Sequence, residues 1–488
     1  MKEKLTLKND FALGPVFLLS YFIAIVAFQC PLGLLNASPS KQSSDESKQL
    51  LPKRISDLLQ KNKIDPKHFG VQINHRDEIL FANNADKIFI PASVTKLFTA
   101  YAVLKNLGPT FKVKTQLFYD GKNLYLKGAG DPGFVSETMW FLVNEFHRQN
   151  IKSIDGDIIV DDLLFDDVRF DKSRESVRVD RAFDSPVGAM SFNWNSVNVF
   201  VKPANKVGQP AEVVADPENG YFKVTNSTTT VNKVKKELII DVDQKDRVIR
   251  VSGDVSISAA EKAYFKNVAD PIQWSGQNLF AFLGQRGIFV KGTVKSGATP
   301  AAAKLVASAE SKSLSAMVAD MDKFSNNYVA EMLTKLLASQ KSTKSEKSNF
   351  SIADGMKIIE SEAQKIVTNS KELVLKNPSG FSRENRITPA ALNELLFVAL
   401  KDFSLFPSLV ESLPVAGLDG TLKKRMIGTK AEAFVRAKTG YLDDVVALSG
   451  YAGHRNGEIF HFTFLYNGPQ DEALVRSTVD QIINYILE

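Results

Sequence analysis

Between Phe111 and Val306 the chain changes texture, and this constrains its fold more than any other feature. Short β-rich runs at 112–119, 123–126, 157–160, 197–201, 238–242 and 248–257 are broken by Gly, Asn and Asp, with one helical pattern at 136–149. On the N-terminal side, Leu50, Leu51, Ile55, Leu58 and Leu59 are spaced for a helix over 49–59. Runs at 70–74 and 79–82 read as a hairpin about His75-Arg76-Asp77-Glu78. Leu97, Ala100, Tyr101 and Leu104 stripe a helix over 93–107, which Gly108-Pro109 ends. On the C-terminal side, helices are predicted at 314–321, 326–339, 352–366 and 389–400, strands at 434–439, 445–451 and 458–466, and a last helix at 472–487. That last helix is amphipathic, but its polar face carries Glu472 and Asp480 rather than a lysine run, which predicts packing on the sheet over membrane anchoring. Two distant segments therefore make one α/β (α+β) domain around an insertion.

Of 488 residues, 44% are hydrophobic and 24% charged, enough apolar material for a large core. The net charge of +6 comes from 61 basic and 55 acidic residues that are well mixed, so no nucleic-acid partner is expected. At the N-terminus Lys2, Lys4 and Lys8 precede an uncharged apolar run over 15–35, then small and polar residues. This is the order of an export signal, with a cleavage site at Leu35-Asn36-Ala37, and 1–37 is read as a signal peptide. The run is also about long enough to span a bilayer, so an uncleaved anchor is the competing reading. The only cysteine, Cys30, lies inside it behind Phe28 and Gln29, which do not suit lipid attachment. Cleavage would leave no thiol, hence neither disulfides nor cysteine catalysis.

Three short motifs carry chemistry. In Ser93-Val94-Thr95-Lys96, residues three apart share a helix face, so Lys96 can reach Ser93 and take its proton. The amine must then be neutral part of the time, which desolvation or neighbouring positive charge can arrange. Alone the pattern is weak, for a capping serine beside an exposed lysine looks the same, and Ser38 and Lys41 repeat the spacing. Lys438-Thr439-Gly440 ends a strand-like run; Lys438 can hold a carboxylate, Thr439 adds a hydroxyl, and Gly440 admits a ligand backbone. The third motif is a Ser-x-Asn. Ser191-Phe192-Asn193 and Ser196-Val197-Asn198 compete, but Ser325-Asn326-Asn327 opens a helix and lies between the other two motifs in chain order. Ser325 can relay a proton to a leaving amine, and Asn327 can bind a substrate backbone. The five histidines show no zinc spacing, and no metal or other cofactor is expected.

In this order the three motifs are far more specific than any one. With Phe89-Ile90-Pro91-Ala92 before Ser93, Gly128-Ala129-Gly130-Asp131-Pro132, the stretch 187–195, and the blocks 413–421, 436–440 and 447–451, the chain resembles the low-molecular-mass class C penicillin-binding proteins. These form the D-Ala-D-Ala carboxypeptidase/endopeptidase family known as peptidase S13. The resemblance implies a serine β-lactamase/transpeptidase-like core, antiparallel sheet with helices, over 49–110 and 307–488. It implies an inserted domain over 111–190 and 275–306, with a nested β-rich domain over 191–274. It also implies that Ser93 attacks the penultimate D-alanine of peptidoglycan stem peptides and that β-lactams inhibit. The backbone N–H groups of Ser93 and Tyr441 would form the oxyanion hole, Lys438 and Thr439 would hold the terminal carboxylate, and a periplasmic location would follow. By position Asp161 and Arg383 would recognise the stem side chain, with Asp162 competing with Asp161. Tyr441 stands where a small residue is usual, and Asn377-Pro378-Ser379-Gly380 replaces Asp-Gly-Ser-Gly, which would alter the site's width and the loop bearing Arg383. The alternatives are a β-lactamase or esterase on the same core, for which no glutamate is placed to activate water, and an inactive wall-binding scaffold, which would not need all five polar groups.

Overall fold

The computed structural model describes residues 41–173, 184–341 and 349–488. The apolar run, Cys30 and the expected cleavage site lie outside the described residues. Helix α1 (Lys41–Lys61) starts well before its apolar stripe and leads to strands β1 (Phe69–His75) and β2 (Glu78–Asn83). Helix α2 (Lys96–Leu107) is preceded by a 3₁₀ turn over Ala92–Thr95, so Ser93 lies in that turn rather than in an α-helix. Gly108 stops α2 at φ +84°, with its N–H on the Leu104 carbonyl.

The insertion begins with β3 (Lys114–Tyr119), β4 (Leu124–Lys127), α3 (Ser136–His147), β5 (Ser153–Ile154) and β6 (Ile158–Asp161). It continues through β7 (Ser196–Lys202), β8 (Glu212–Asp216), β9 (Lys223–Val231), β10 (Ile239–Asp243), β11 (Val248–Ser256) and β12 (Lys262–Asn267). Helix α4 (Pro271–Gln285) was not foreseen, although Asp270 caps it through the Gln273 N–H and Pro271 occupies its first turn. It also runs unbroken through 274–275, where the sequence reading passed from one inserted domain to the other. Strands β13 (Phe289–Val290), β14 (Val294–Ser296) and β15 (Lys304–Glu310) return the chain. A mixed sheet of order β14-β6-β4-β3-β15 and two three-stranded sheets, β12-β7-β8 and β10-β11-β9, share one hydrophobic core.

Helices α5 (Leu314–Lys323), α6 (Asn327–Lys341), α7 (Ile352–Ile366), α8 (Pro389–Lys401) and the unforeseen α9 (Phe406–Ser412) follow. Side-chain caps start three of them: Ser313 for α5, Ser351 with Asp354 for α7, and Thr388 for α8. Strands β16 (Val435–Leu442), β17 (Val445–Gly453) and β18 (Ile459–Asn467) and helix α10 (Glu472–Ile486) end the chain.

The second five-stranded sheet is antiparallel throughout, in the order β16-β17-β18-β1-β2. Its centre joins the two ends of the chain, from Phe69 opposite Tyr466 to His75 opposite Phe460. β17 and β18 are buried along almost their whole length because helices cover both faces. On one face Leu51, Ile55 and Leu58 of α1 and Val475, Val479 and Ile482 of α10 pack on Phe69, Val71 and Phe464. Burying each such side chain stabilises the fold by about 1.5–3 kcal/mol. The amphipathic last helix is thus spent on the sheet, and among the described residues no helix is long and apolar enough to cross a membrane. The other face meets a helical core that includes α2, α5, α6, α7 and α8. There Asn393 of α8 donates to the Gln72 carbonyl and to Asn74 Oδ1, and accepts from Thr463, tying helix to sheet through a satisfied buried network.

Candidate active site

The 3₁₀ turn that carries Ser93 lies between β16 and the loop before α8, and both approach it through glycine. A Cβ on Gly440 would sit 2.8 Å from the Pro91 carbonyl oxygen, and one on Gly380 would overlap the Ala92 carbonyl. Gly440 therefore makes room for the protein's own turn. Ala92 has φ +49° and Ser325 φ +54°, a left-handed conformation that costs non-glycine residues about 1–3 kcal/mol each. Both lie at the motif serines, one immediately before Ser93 and the other at Ser325 itself.

Lys96 is fully buried, and its Nζ donates to Ser93 Oγ at 3.1 Å, Asn327 Oδ1 at 2.7 Å and the Ser379 carbonyl at 2.6 Å. Lys438, also fully buried, donates to Ser325 Oγ at 2.9 Å and to the Thr439 carbonyl at 2.9 Å. Ser325 and Asn327 are two residues apart, so the hydrogen bonds Ser93–Lys96–Asn327 and Ser325–Lys438 form one chain of bonds that is joined through the backbone of 325–327. Ser93 and Ser325 remain partly exposed while both amines are sealed below them. Thr439 Oγ1 donates to Thr421 Oγ1 at 2.7 Å, which brings the 420–422 turn to the rim. The competing Ser-x-Asn pairs serve their own loop: Ser191 bonds the Gly188 carbonyl, Ser196 the Asn193 carbonyl, and Asn193 pairs with Ser136.

Three participants were not identified from sequence. The Ser379 carbonyl is a direct acceptor for Lys96, and Pro378 accepts from Thr99. Asn377, read as a departure, accepts from the Ser379 N–H and hydroxyl and donates from Nδ2 to Asp171 at 2.6 Å, a donation that an ionised Asp could not make. The third is Asp322 of α5. It is fully buried, its Oδ2 accepts from Ser412 Oγ at 3.0 Å, and its Oδ1 has no hydrogen-bond partner among the described residues. Loss of water pushes the Asp322 carboxyl up, with the Lys438 charge pulling it back. Burial likewise pushes Lys438 below the usual lysine range, opposed by the Asp322 charge. Buried carboxylates carry no short sequence signature, so nothing in the motif reading pointed to Asp322.

The remaining candidates fall outside this chain of bonds. Asp161 accepts from the Leu163 and Thr299 N–H groups, and Asp162 pairs with Arg169 and accepts from the Met190 N–H. Arg383 is exposed and donates to the Asp443 carbonyl at the β16–β17 turn. Tyr441 lies on the opposite strand face from Lys438, its ring 5.7 Å from the guanidinium of Arg476 on α10. No group of three or more His, Cys, Asp or Glu side chains suited to a metal occurs among the described residues.

Residues 51–486 match the model of the D-Ala-D-Ala carboxypeptidase 3 (S13) family. The chain is 30% identical to a D-alanyl-D-alanine carboxypeptidase of Actinomadura sp. (strain R39), over 91% of this chain and 86% of the relative. It is 27% identical to the D-alanyl-D-alanine carboxypeptidase DacB of Haemophilus influenzae, over 81% and 84% respectively. Its fold is that of the crystal structure of penicillin binding protein 4 (dacB) from Haemophilus influenzae, with a TM-score of 0.73 and 24% identity over 88% of this chain and 97% of the other.

Proposed function

Because the chain belongs to the D-Ala-D-Ala carboxypeptidase 3 (S13) family, we propose that Ser93 is the nucleophile of its reaction, a serine-type hydrolysis of D-alanyl-D-alanine bonds. The carrying observation is that Lys96 bonds both Ser93 and Asn327 while Lys438 bonds Ser325, two residues before Asn327 on the same segment. Lys96 accepts the Ser93 hydroxyl proton as Oγ attacks the carbonyl of the penultimate D-alanine. The backbone N–H groups of Ser93 and Tyr441 receive the oxyanion. The C–N bond then breaks, Ser325 relays a proton to the leaving amine, and water later hydrolyses the ester. Lys438 and Thr439 hold the terminal carboxylate, and the same pair receives the carboxylate of a β-lactam. Asn327 orients the substrate backbone while fixing Lys96, and Gly440 keeps β16 close to the nucleophile's turn.

The substrate is the peptidoglycan stem peptide, whether the leaving group is free D-alanine or a cross-linked strand. Arg383 is the proposed contact for its third side chain. Asp161 is its weaker partner, since backbone donors already engage both carboxylate oxygens. This substrate lies outside the cytoplasmic membrane, so the apolar N-terminal segment serves export to the periplasm. Ser93→Ala is expected to abolish both labelling by a fluorescent penicillin and D-alanine release, with the thermal midpoint retained. Equal labelling of both proteins would remove Ser93 from the mechanism. Mass analysis of products from intact and cross-linked muropeptides separates the two leaving groups.

A further inference from the structure

A cleft of about 830 Å³ outside the catalytic residues opens in the insertion where α3 begins, beside β7, β8, β12 and the end of β15. Its walls carry two aromatic rings that a core would normally bury: Trp194 is 38% exposed and Phe265 51% exposed. Amide and hydroxyl groups such as Asn198 and Thr138 share the lining. Asp131, Glu137, Asp216, Glu310 and Lys312 complete it, with Glu310 paired to Lys112 and Lys114 and Lys312 paired to Asp320.

The ring of Trp194 is held in place by its backbone. Asn193, Trp194 and Asn195 have φ of +47°, +55° and +47°, a left-handed turn built from three non-glycine residues. Two asparagine side chains brace it. Asn193 Oδ1 accepts from the Ser136 N–H at 3.0 Å, and Asn195 donates to the Pro186 carbonyl and to Ser191 Oγ, both at 2.8 Å. An indole facing solvent from a braced turn is rigid and pre-oriented, as ligand-contacting aromatics are. Asp131, nine-tenths buried, has one oxygen on the Gly133 N–H.

We propose that this cleft binds the glycan strand of peptidoglycan, stacking N-acetylhexosamine rings on Trp194 and Phe265 while the carboxylates and amides accept and donate to sugar hydroxyls. The proposal rests on the peptidoglycan reading above and adds a second recognition site to it. Pyranose rings have apolar C–H faces and polar edges, which matches flat aromatic rings that share a lining with polar groups. The one lysine of the lining is already paired with Asp320, so the cleft offers little to a polyanion such as nucleic acid. A neutral sugar chain carries no charge to be repelled.

The test titrates an N-acetylglucosamine tetrasaccharide into the protein by calorimetry, comparing wild type with Trp194→Ala and Phe265→Ala. Phe265 is half exposed on a strand, so its truncation spares the core if the tryptophan variant misfolds. Binding weakened at least about tenfold in a folded variant supports the site. With it, KM should rise on glycan-linked peptidoglycan while penicillin labelling and turnover of a short D-Ala-D-Ala peptide stay unchanged. Absent binding, or binding indifferent to both substitutions, overturns the proposal. So does a cleft that takes a lysine-bearing stem peptide and not the tetrasaccharide. Intact penicillin labelling beside a failed titration would discard the cleft alone, whereas lost labelling of wild type would discard the catalytic reading.

Discussion

Lys96 and Lys438 are both sealed from water, yet the proposed mechanism asks opposite charge states of them. In it Lys96 accepts a proton, whereas Lys438 stays cationic to hold a carboxylate. Burial lowers the Lys438 pKa, so its ammonium is lost as pH rises, at a lower pH than for an exposed lysine. The Asp322 charge works against that loss. Asp322→Asn removes the charge and is expected to shift the alkaline fall of β-lactam acylation to lower pH. The variant should acylate at least about threefold more slowly than wild type near about pH 8.5, with the gap closing near about pH 6.5. An alkaline limb identical in both proteins would assign Asp322 a packing role only. The reactive residue types were legible because chemistry restricts them to a few spacings. Asp322, the Ser379 carbonyl and Thr421 were not, since their part depends on which chain segments fold against the site.

At the level of elements, the nucleophile's turn is gripped by a strand and a loop through Gly440 and Gly380. Gly440→Ala places a Cβ against the Pro91 carbonyl and Ala92, and β16 cannot withdraw without loosening its pairing to β17. The expected cost is about 1–3 kcal/mol of stability, read as a lower thermal midpoint. An acylation rate reduced at least about tenfold should accompany it, because Lys438 moves with the strand. Unchanged acylation would show that the turn, not the strand, yields. Most helices and strands were foreseen within a few residues, since apolar periodicity sets them. α4 was missed because β-rich surroundings outweighed its Asp-Pro start, and α9 because seven residues give periodicity little to act on.

Across the whole molecule, two pieces of the insertion that are distant in sequence are joined where Val187 and Ala189 pack into the helical core. Gly130 donates its N–H to the Ala189 carbonyl at 2.8 Å, and a Cβ on Gly128 would overlap the same backbone. The Gly-Ala-Gly-Asp-Pro element and the 187–195 stretch, two separate patches in the sequence, are thus one joint beside α6. Asp131 in that joint is pushed up to about 6 by burial. A carboxyl raised in this way stabilises the fold fully below its unfolded pKa of about 4, and the contribution is lost as pH rises through about 6. Asp131→Asn, which keeps the acceptor for the Gly133 N–H, should therefore raise the thermal midpoint at pH 7.5. A gain of about 2–3 kcal/mol is expected there, vanishing near about pH 4. A variant that is no more stable at neutral pH would mean that the ionised carboxylate has compensation in the cleft.

The order of the motifs, most of the helical and strand runs and the β-rich interruption follow from the amino-acid sequence alone, because side-chain periodicity and the reach of short spacings are local properties, whereas the antiparallel sheet was implied only by the family resemblance. Folding decided what lies across from what. Pairing of β1 with β18 joins the two termini of the domain, and tertiary packing sets Lys438 against Ser325 and the Ser379 carbonyl against Lys96. Burial, which lowers the Lys438 pKa and raises that of Asp322, is a property of packed layers and not of any stretch of residues.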